Sequence, residues 1–325
     1  MNQTTMMMKI AAHLHGHECW FSPHYTDGLI GLLARKGMLE WTIAGKRHQQ
    51  RAISVLQSNR LRIDVGARHN HYDLVVTCSD LVVPRNVRTT PIVLVQEGMT
   101  DPESLMFHLV KLLRLPRYLA STSTFGLSDA YDRFCVASEG YRELFIRKGV
   151  NPQKIVVTGI PNFDDCSSLL STQATSRGYV LVATSDARET FRRENRRSTI
   201  EQALAIAAGR DLVFKLHPNE HVSRATREIE HYAPGSRIIV EGDADALIAH
   251  CDVLITTFSS CAFVGIALGK QVYSDFPLAE LRRLCPIQNG GASAMSIATV
   301  CEDVLSRSVC RVFTIGGEPM QRKAS

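Results

Sequence analysis

The chain has 325 residues, of which 45% are hydrophobic and 21% charged, and it carries a net charge of +5 from 37 basic and 32 acidic side chains. This is the balance of a globular protein with room for two domains, and it excludes disordered and fibrous classes. The basic excess is small and scattered, so no nucleic-acid partner is expected. The 9 cysteines are odd in number and form no CxxC pair, which points to reduced thiols and a cytoplasmic protein. No signal-peptide core opens the chain, and no apolar run reaches the ~18 residues of a membrane span.

In chain order, short β-forming runs are predicted at residues 9–14, 40–43, 61–64, 73–77, 92–96, 133–136 and 155–158. Amphipathic stretches at 27–36, 48–57, 103–115 and 139–148 are predicted as helices between several of them. Such alternation builds a mainly parallel sheet covered by helices on both faces. Residues 164–178, rich in Ser, Thr and small side chains, read as a linker. The alternation then restarts, with strands at 179–183, 212–216, 237–240, 253–255 and 271–273 and helices at 189–208, 223–232, 244–250 and 260–268. A last helix at 293–305 follows Asn289-Gly290-Gly291. The expected fold is α/β, with two Rossmann-like doubly wound domains facing a cleft. They occupy residues 1–165 and 179–310, joined by a linker at 166–178 and followed by a polar tail at 311–325.

Chemistry concentrates at predicted strand ends. His13, His15 and His17 alternate, as do His69 and His71, which on strands would place each set on one side and make a metal site conceivable. His24, ahead of the first helix, is a candidate base. Gln96-Glu97-Gly98 closes a strand, and Glu97 there either caps the next helix or serves as general base. The basic amphipathic stretch from Leu105 to Arg114, with Arg117, either covers a core or rests peripherally on a membrane surface. Thr184-Ser185-Asp186 with Arg188 follows the first strand of the second domain, where Ser185 or Asp186 caps a helix, binds an anion, or does both. Lys215 and His217 share one side of a strand that Pro218 stops. Thr256-Thr257-Phe258-Ser259-Ser260 lies between a strand and a helix and offers a row of hydroxyls. One cation, one imidazole and several hydroxyls past buried strands suit phosphate oxygens. Ser185, Arg188, Lys215, His217, Thr257, Ser259 and Ser260 are therefore the candidate nucleotide-phosphate ligands.

At these residues the chain resembles bacterial glycosyltransferases of the GT-B fold that carry an HP motif and an SS motif. These are the sialyltransferases, the capsule Kdo transferases and, more loosely, the CDP-glycerol glycerophosphotransferases. The nonhydrolysing UDP-N-acetylglucosamine 2-epimerases share the architecture. Lys215-Leu216-His217-Pro218 is similar to the HP motif, and Cys251-Asp252-Val253 through Ser259-Ser260 to the SS motif. Val136-Ala137-Ser138 through Asn162-Phe163-Asp164 is similar to the approach to the interdomain linker, and Gln96-Glu97-Gly98 to the acid–glycine motif. The resemblance implies that His217, Ser259 and Ser260 hold a nucleotide phosphate without metal or other cofactor, and that Glu97 is the base. It implies a nucleotide-activated sugar donor and a glycan or lipid-linked acceptor. Two positions depart from the pattern: Val264 stands where many relatives have an acid, and Gln96 replaces the first acid of the sialyltransferase pair. The first departure favours CMP- or CDP-linked donors over UDP. A nucleotide-sugar epimerase, a noncatalytic sugar-nucleotide or glycan binder, and a histidine-based metal hydrolase are the alternative readings.

Overall fold

The computed structural model describes residues 2–23, 46–171, 178–189 and 194–313. They divide into two compact units, Met1–Asn162 with Gly291–Ser325, and Phe163–Gly290.

The first unit opens with helix α1 (Asn2–Ala11), overturning the expected strand at residues 9–14. Met6 and Ile10 are buried one helical turn apart and Leu14 continues the spacing, so the apolar period is helical rather than alternating. His13, His15 and His17 consequently fall on exposed turns after the helix instead of on one strand face. Strand β1 (Trp20–Phe21) pairs in parallel with β2 (Arg62–Ile63), and helix α2 (Lys46–Ser58) lies between them in sequence. His24 and the elements expected at 27–36 and 40–43 lie outside the described residues.

The main sheet of this unit runs β3 (Val75–Thr77), β4 (Ile92–Val95), β5 (Arg133–Val136) and β6 (Ile155–Val157), all parallel and in sequence order. Every residue of β4 is buried, as expected for a parallel strand covered on both faces. Helix α3 (Leu105–Leu113) follows β4, and α4 (Glu139–Lys148) follows β5. Ser138 caps α4 by accepting the Tyr141 amide, and Gly149 ends it at φ 107°. Phe134 anchors an aromatic cluster, with ring centroids 4.7 Å from Phe145 and 5.3 Å from Phe125. The C-terminal helix (Ser293–Phe313) also belongs here rather than with the second domain. Its Ala294, Ile297, Ala298, Cys301 and Val304 form one buried stripe at helical spacing, and His17 meets its Glu302 at 2.8 Å.

The second unit alternates β7 (Val180–Ala183), α5 (Arg196–Ala207), β8 (Leu212–Lys215), α6 (Val222–Tyr232), β9 (Arg237–Ile239), α7 (Ala244–His250), β10 (Val253–Thr256), α8 (Cys261–Ala267), β11 (Gln271–Tyr273) and α9 (Leu278–Leu284). Its sheet is parallel throughout, in the order β11-β10-β7-β8-β9. The order therefore reverses between β7 and β10, the switch point where open α/β sheets bind ligands beyond their carboxyl ends. One face buries Val182, Phe214 and Ile255 against Ile200 and Ala203 of α5 and Ile229 of α6. On α8, a Cβ at Gly265 would lie 2.8 Å from a Leu254 methyl and 2.9 Å from a Val272 methyl. Glycine thus lets α8 sit close over β10 and β11.

Two boundaries differ from expectation. Helix α5 begins at Arg196 rather than residue 189, because the Asn195 side chain caps it by accepting the Ser198 amide at 3.2 Å. The stretch expected as a linker starts with a short helical turn, Cys166–Ser171, that is part of the second unit. There the Cys166 amide donates to Gln288 Oε1 at 3.0 Å, and Gln288 Nε2 donates to the Phe163 carbonyl at 2.5 Å.

Candidate functional site

The carboxyl ends of β7, β8 and β10 lie side by side, since Ala183 is in register with both Lys215 and Thr256. This brings together the loops that start at Thr184, at Leu216 and at Thr257. Glu220, buried, binds the first two of them. It accepts from the Thr184 hydroxyl and from Arg196, and Arg188 Nη2 lies 3.7 Å from it. Arg188 is held in turn by a bidentate pair with Glu228, both contacts at 2.8 Å. Arg196 Nε lies 2.8 Å from Glu194, and Ser185 donates to the other oxygen of that carboxylate at 3.1 Å. The guanidinium and carboxylate groups of these loops are thus largely spent on one another.

Lys215 is also spent internally. Its ammonium donates to the carbonyls of Leu216 at 3.0 Å and Val240 at 2.9 Å. Burial pushes its pKa down, opposed by Cys261, Asp243 and Glu241. Lys215 and Arg188 therefore fasten loops. Ser185 does not cap α5; it donates to Glu194 and accepts the Ala187 amide at 3.4 Å.

His217 differs. Its backbone amide donates to the Thr184 hydroxyl at 3.0 Å, which sets the ring at the end of β8. The ring Nδ1 accepts the Asn219 amide at 3.2 Å. That bond puts the lone pair on Nδ1 and the proton of the neutral ring on Nε2. The ring is 36% exposed, so Nε2–H is a donor available to a ligand. Asn219 Nδ2 donates to Asp186 at 3.0 Å and steadies the same turn.

The hydroxyl row after β10 completes the group. Ser260 occupies the position before α8 at φ −62° and ψ −15°, and its side chain caps nothing. Among the described residues, the hydroxyls of Thr257 and Ser260 make no hydrogen bond. Ser259 accepts the Cys261 amide at 3.3 Å, while Ser274 secures the Thr257 carbonyl at 2.6 Å. Val264 is buried in the core. Asp245, in the first turn of α7, is pushed up to about 6 by burial and by Asp243.

In the first unit, Glu97 follows β4. Its Oε2 accepts from Gln3 Nε2 at 2.5 Å, and burial raises its pKa despite that bond. Gln96 explains its own presence: Oε1 accepts the Ala137 amide at 2.9 Å while Nε2 donates to the Gly98 carbonyl at 2.8 Å. A carboxylate could accept the first bond but could not donate the second. Glu97 caps no helix, since Ser104 fills that role for α3. His69 is tied to Asp64 at 2.7 Å, and no group of three or more metal-ligating side chains occurs among the described residues.

Sequence reasoning gave no role to Glu220, Asn219, Gln3 or Asp245. Glu220 stands beside the His217-Pro218 pair, but its partners Thr184 and Arg196 are 36 and 24 residues away. Only the strand order reveals that they meet.

No family model and no curated protein sequence matches the chain. Solved structures do match it. An S. aureus MnaA–UDP co-structure shares 10% identity over 94% of this chain and 94% of that one, with a TM-score of 0.55. The UDP-GlcNAc 2-epimerase from Neisseria meningitidis bound to UDP-GlcNAc shares 11% identity over 92% of this chain and 96% of that one, with a TM-score of 0.52. The wall teichoic acid polymerase TagF is more distant, with 12% identity over 68% of this chain and 69% of that one and a TM-score of 0.41. At that TM-score it bears on neither fold nor chemistry. The first two likenesses, with the parallel sheets of both units, show that the fold is of the GT-B kind.

Proposed function

We propose that this protein is an inverting glycosyltransferase that moves a sugar from a nucleotide-activated donor to a hydroxyl acceptor during bacterial surface-polysaccharide or glycoconjugate synthesis. One observation carries the reading. At the switch point of the second unit most of the charged groups pair with one another, and His217 Nε2–H with the Thr257 and Ser260 hydroxyls offers neutral donors beside them. Neutral donors at that position suit phosphate oxygens.

In this reading Glu97 takes the proton from the acceptor hydroxyl. The acceptor oxygen forms a bond to the anomeric carbon as the carbon–oxygen bond to phosphate breaks, and the leaving nucleotide keeps the electron pair. His217, Thr257, Ser259 and Ser260 hold the charge that develops on the leaving phosphate, so no metal is required. Lys215 and Arg188 position the loops. The raised pKa of Glu97 supports its role, since a base works best when its pKa approaches the working pH.

The test is a product assay with CMP-, CDP- and UDP-linked sugars, run with and without hydroxyl acceptors. Transfer that requires an acceptor supports the proposal. Inversion of the sugar without an acceptor would establish the epimerase reading, and nucleotide binding with neither outcome would establish a noncatalytic binder.

A further inference from the structure

Helix α3 is fastened to the first unit along one narrow line. Phe107 and Val110 are buried against Ala120 and Leu127. Lys111 Nζ donates to the Lys148 carbonyl at the end of α4 at 3.0 Å. Beyond the helix, Arg117 is tied to buried Asp80 at 2.7 Å, and Asp80 also accepts the amides of Gly126 and Ser128 at 3.0 Å. The platform is held firmly, yet the rest of its apolar surface faces outward. Leu105 is 85% exposed, Leu112 78% and Leu113 60%, joined by Met106, Leu109, Leu115, Tyr118 and Leu119.

At ~100° per residue, positions 105, 106, 109, 112 and 113 share one continuous stripe on the helix. A soluble protein seldom leaves such a cluster uncovered. Its charge is mainly basic, with exposed Glu103 standing just ahead of the helix. From Ser104 to Ser128 there is no acidic residue, whereas His108, Lys111, Arg114 and Arg117 are present. Arg114 ends the helix in the left-handed region at φ 52° and is exposed.

We propose that α3 and the turn after it form a peripheral docking surface for an anionic lipid bilayer. The leucine stripe enters the acyl boundary while Lys111 and Arg114 face acidic headgroups. The absence of acidic side chains over this stretch argues for a negatively charged surface, and the unbroken apolar stripe argues for lipid rather than a polar ligand. This goes beyond the proposed transferase reading and does not depend on it.

The test is cosedimentation of the full chain with phosphatidylcholine vesicles, with and without phosphatidylglycerol. The wild type should pellet with the phosphatidylglycerol vesicles and weaken as salt rises. The triple variant Leu109→Gln, Leu112→Gln, Leu113→Gln should lose at least ~100-fold in vesicle affinity, and Arg114→Gln about 5-fold. All three side chains of the triple variant are exposed, so its melting temperature should be unchanged. A wild type that stays in the supernatant with both vesicle types would overturn the proposal. Equal binding to neutral vesicles would overturn the anionic assignment. A wild-type dimer in sedimentation velocity that the triple variant makes monomeric would assign the face to a second copy of this chain instead.

Discussion

The two units apply one architectural rule and reach different chemistry. Each has a parallel sheet with side chains gathered at strand ends. In the second unit the order reverses between β7 and β10, and the loops beyond that point are knitted by Glu220, Arg196, Arg188 and Glu228 until neutral donors remain at the surface. In the first unit β3 to β6 follow in sequence, and the strand end carries Glu97, a half-buried carboxylate steadied by the amide of Gln3. In the proposed reading one strand-end cluster receives an anion and the other a proton. Strand order alone does not decide which; the internal pairing of charges does.

The comparison breaks most sharply at Glu97. Glu97→Gln should cut transfer by about 10²- to 10⁴-fold and leave nucleotide affinity unchanged. Because burial raises the Glu97 pKa, wild-type activity should fall on the acid side at a pH above the ordinary glutamate value of 4.5, and a pH–rate profile measures this. An unchanged rate in Glu97→Gln would remove the base from the account.

Glu220→Ala tests the knitting of the second unit. It leaves buried Arg196 with Glu194 as its remaining acidic partner and removes an acceptor of Thr184, and should cost about 3 kcal/mol in chemical denaturation. A smaller effect comes from Gly265→Ala. The added methyl meets Leu254 and Val272 at under 3 Å, so α8 must move, at about 1–3 kcal/mol. Nucleotide affinity should drop with it, since Ser259 and Ser260 lead directly into that helix. The smallest change is expected at Asp245. Its folded pKa of about 6 lies above the unfolded 3.8, so the folded state favours the protonated form. The stability it contributes is complete below pH 3.8 and is lost as pH rises to about 6. Asp245→Asn should therefore raise the melting temperature at neutral pH and leave it unchanged in acid.

How far the sequence reveals this depends on the range of the forces involved. Buried parallel strands are continuous apolar runs, and those of β4, β5, β7, β8 and β10 stand out as such. His217 and the hydroxyl row are legible because each directly follows such a run. Helix α1 is not, since Lys9-Ile10-Ala11-Ala12-His13-Leu14 also fits an alternating pattern until the burial of Met6 settles the period. Helix α9 has only two turns and follows Pro277, too short for a periodic signal. The place of the C-terminal helix, and the commitment of Lys215 and Arg188 to internal partners, depend on contacts between residues far apart in sequence, which one-dimensional patterns do not carry. The Val240 carbonyl held by Lys215 is 25 residues away, and Glu228, which holds Arg188, is 40.

The central claim is that the switch point of the second unit holds a nucleotide phosphate without metal. It is tested most directly by the melting temperature of the wild type and of His217→Ala against CMP, CDP, UDP, GDP and ADP, each with and without EDTA. At ~100 times its dissociation constant a ligand adds ~2.7 kcal/mol to the folded state, enough for a clear shift. The account predicts a wild-type shift with a cytidine nucleotide that EDTA does not alter. It also predicts that affinity falls by ~1.5–3 kcal/mol in His217→Ala, beyond the ~1 kcal/mol that loss of the Asn219 amide bond costs the free protein. No shift with any nucleotide, or a shift equal in wild type and variant, would contradict it.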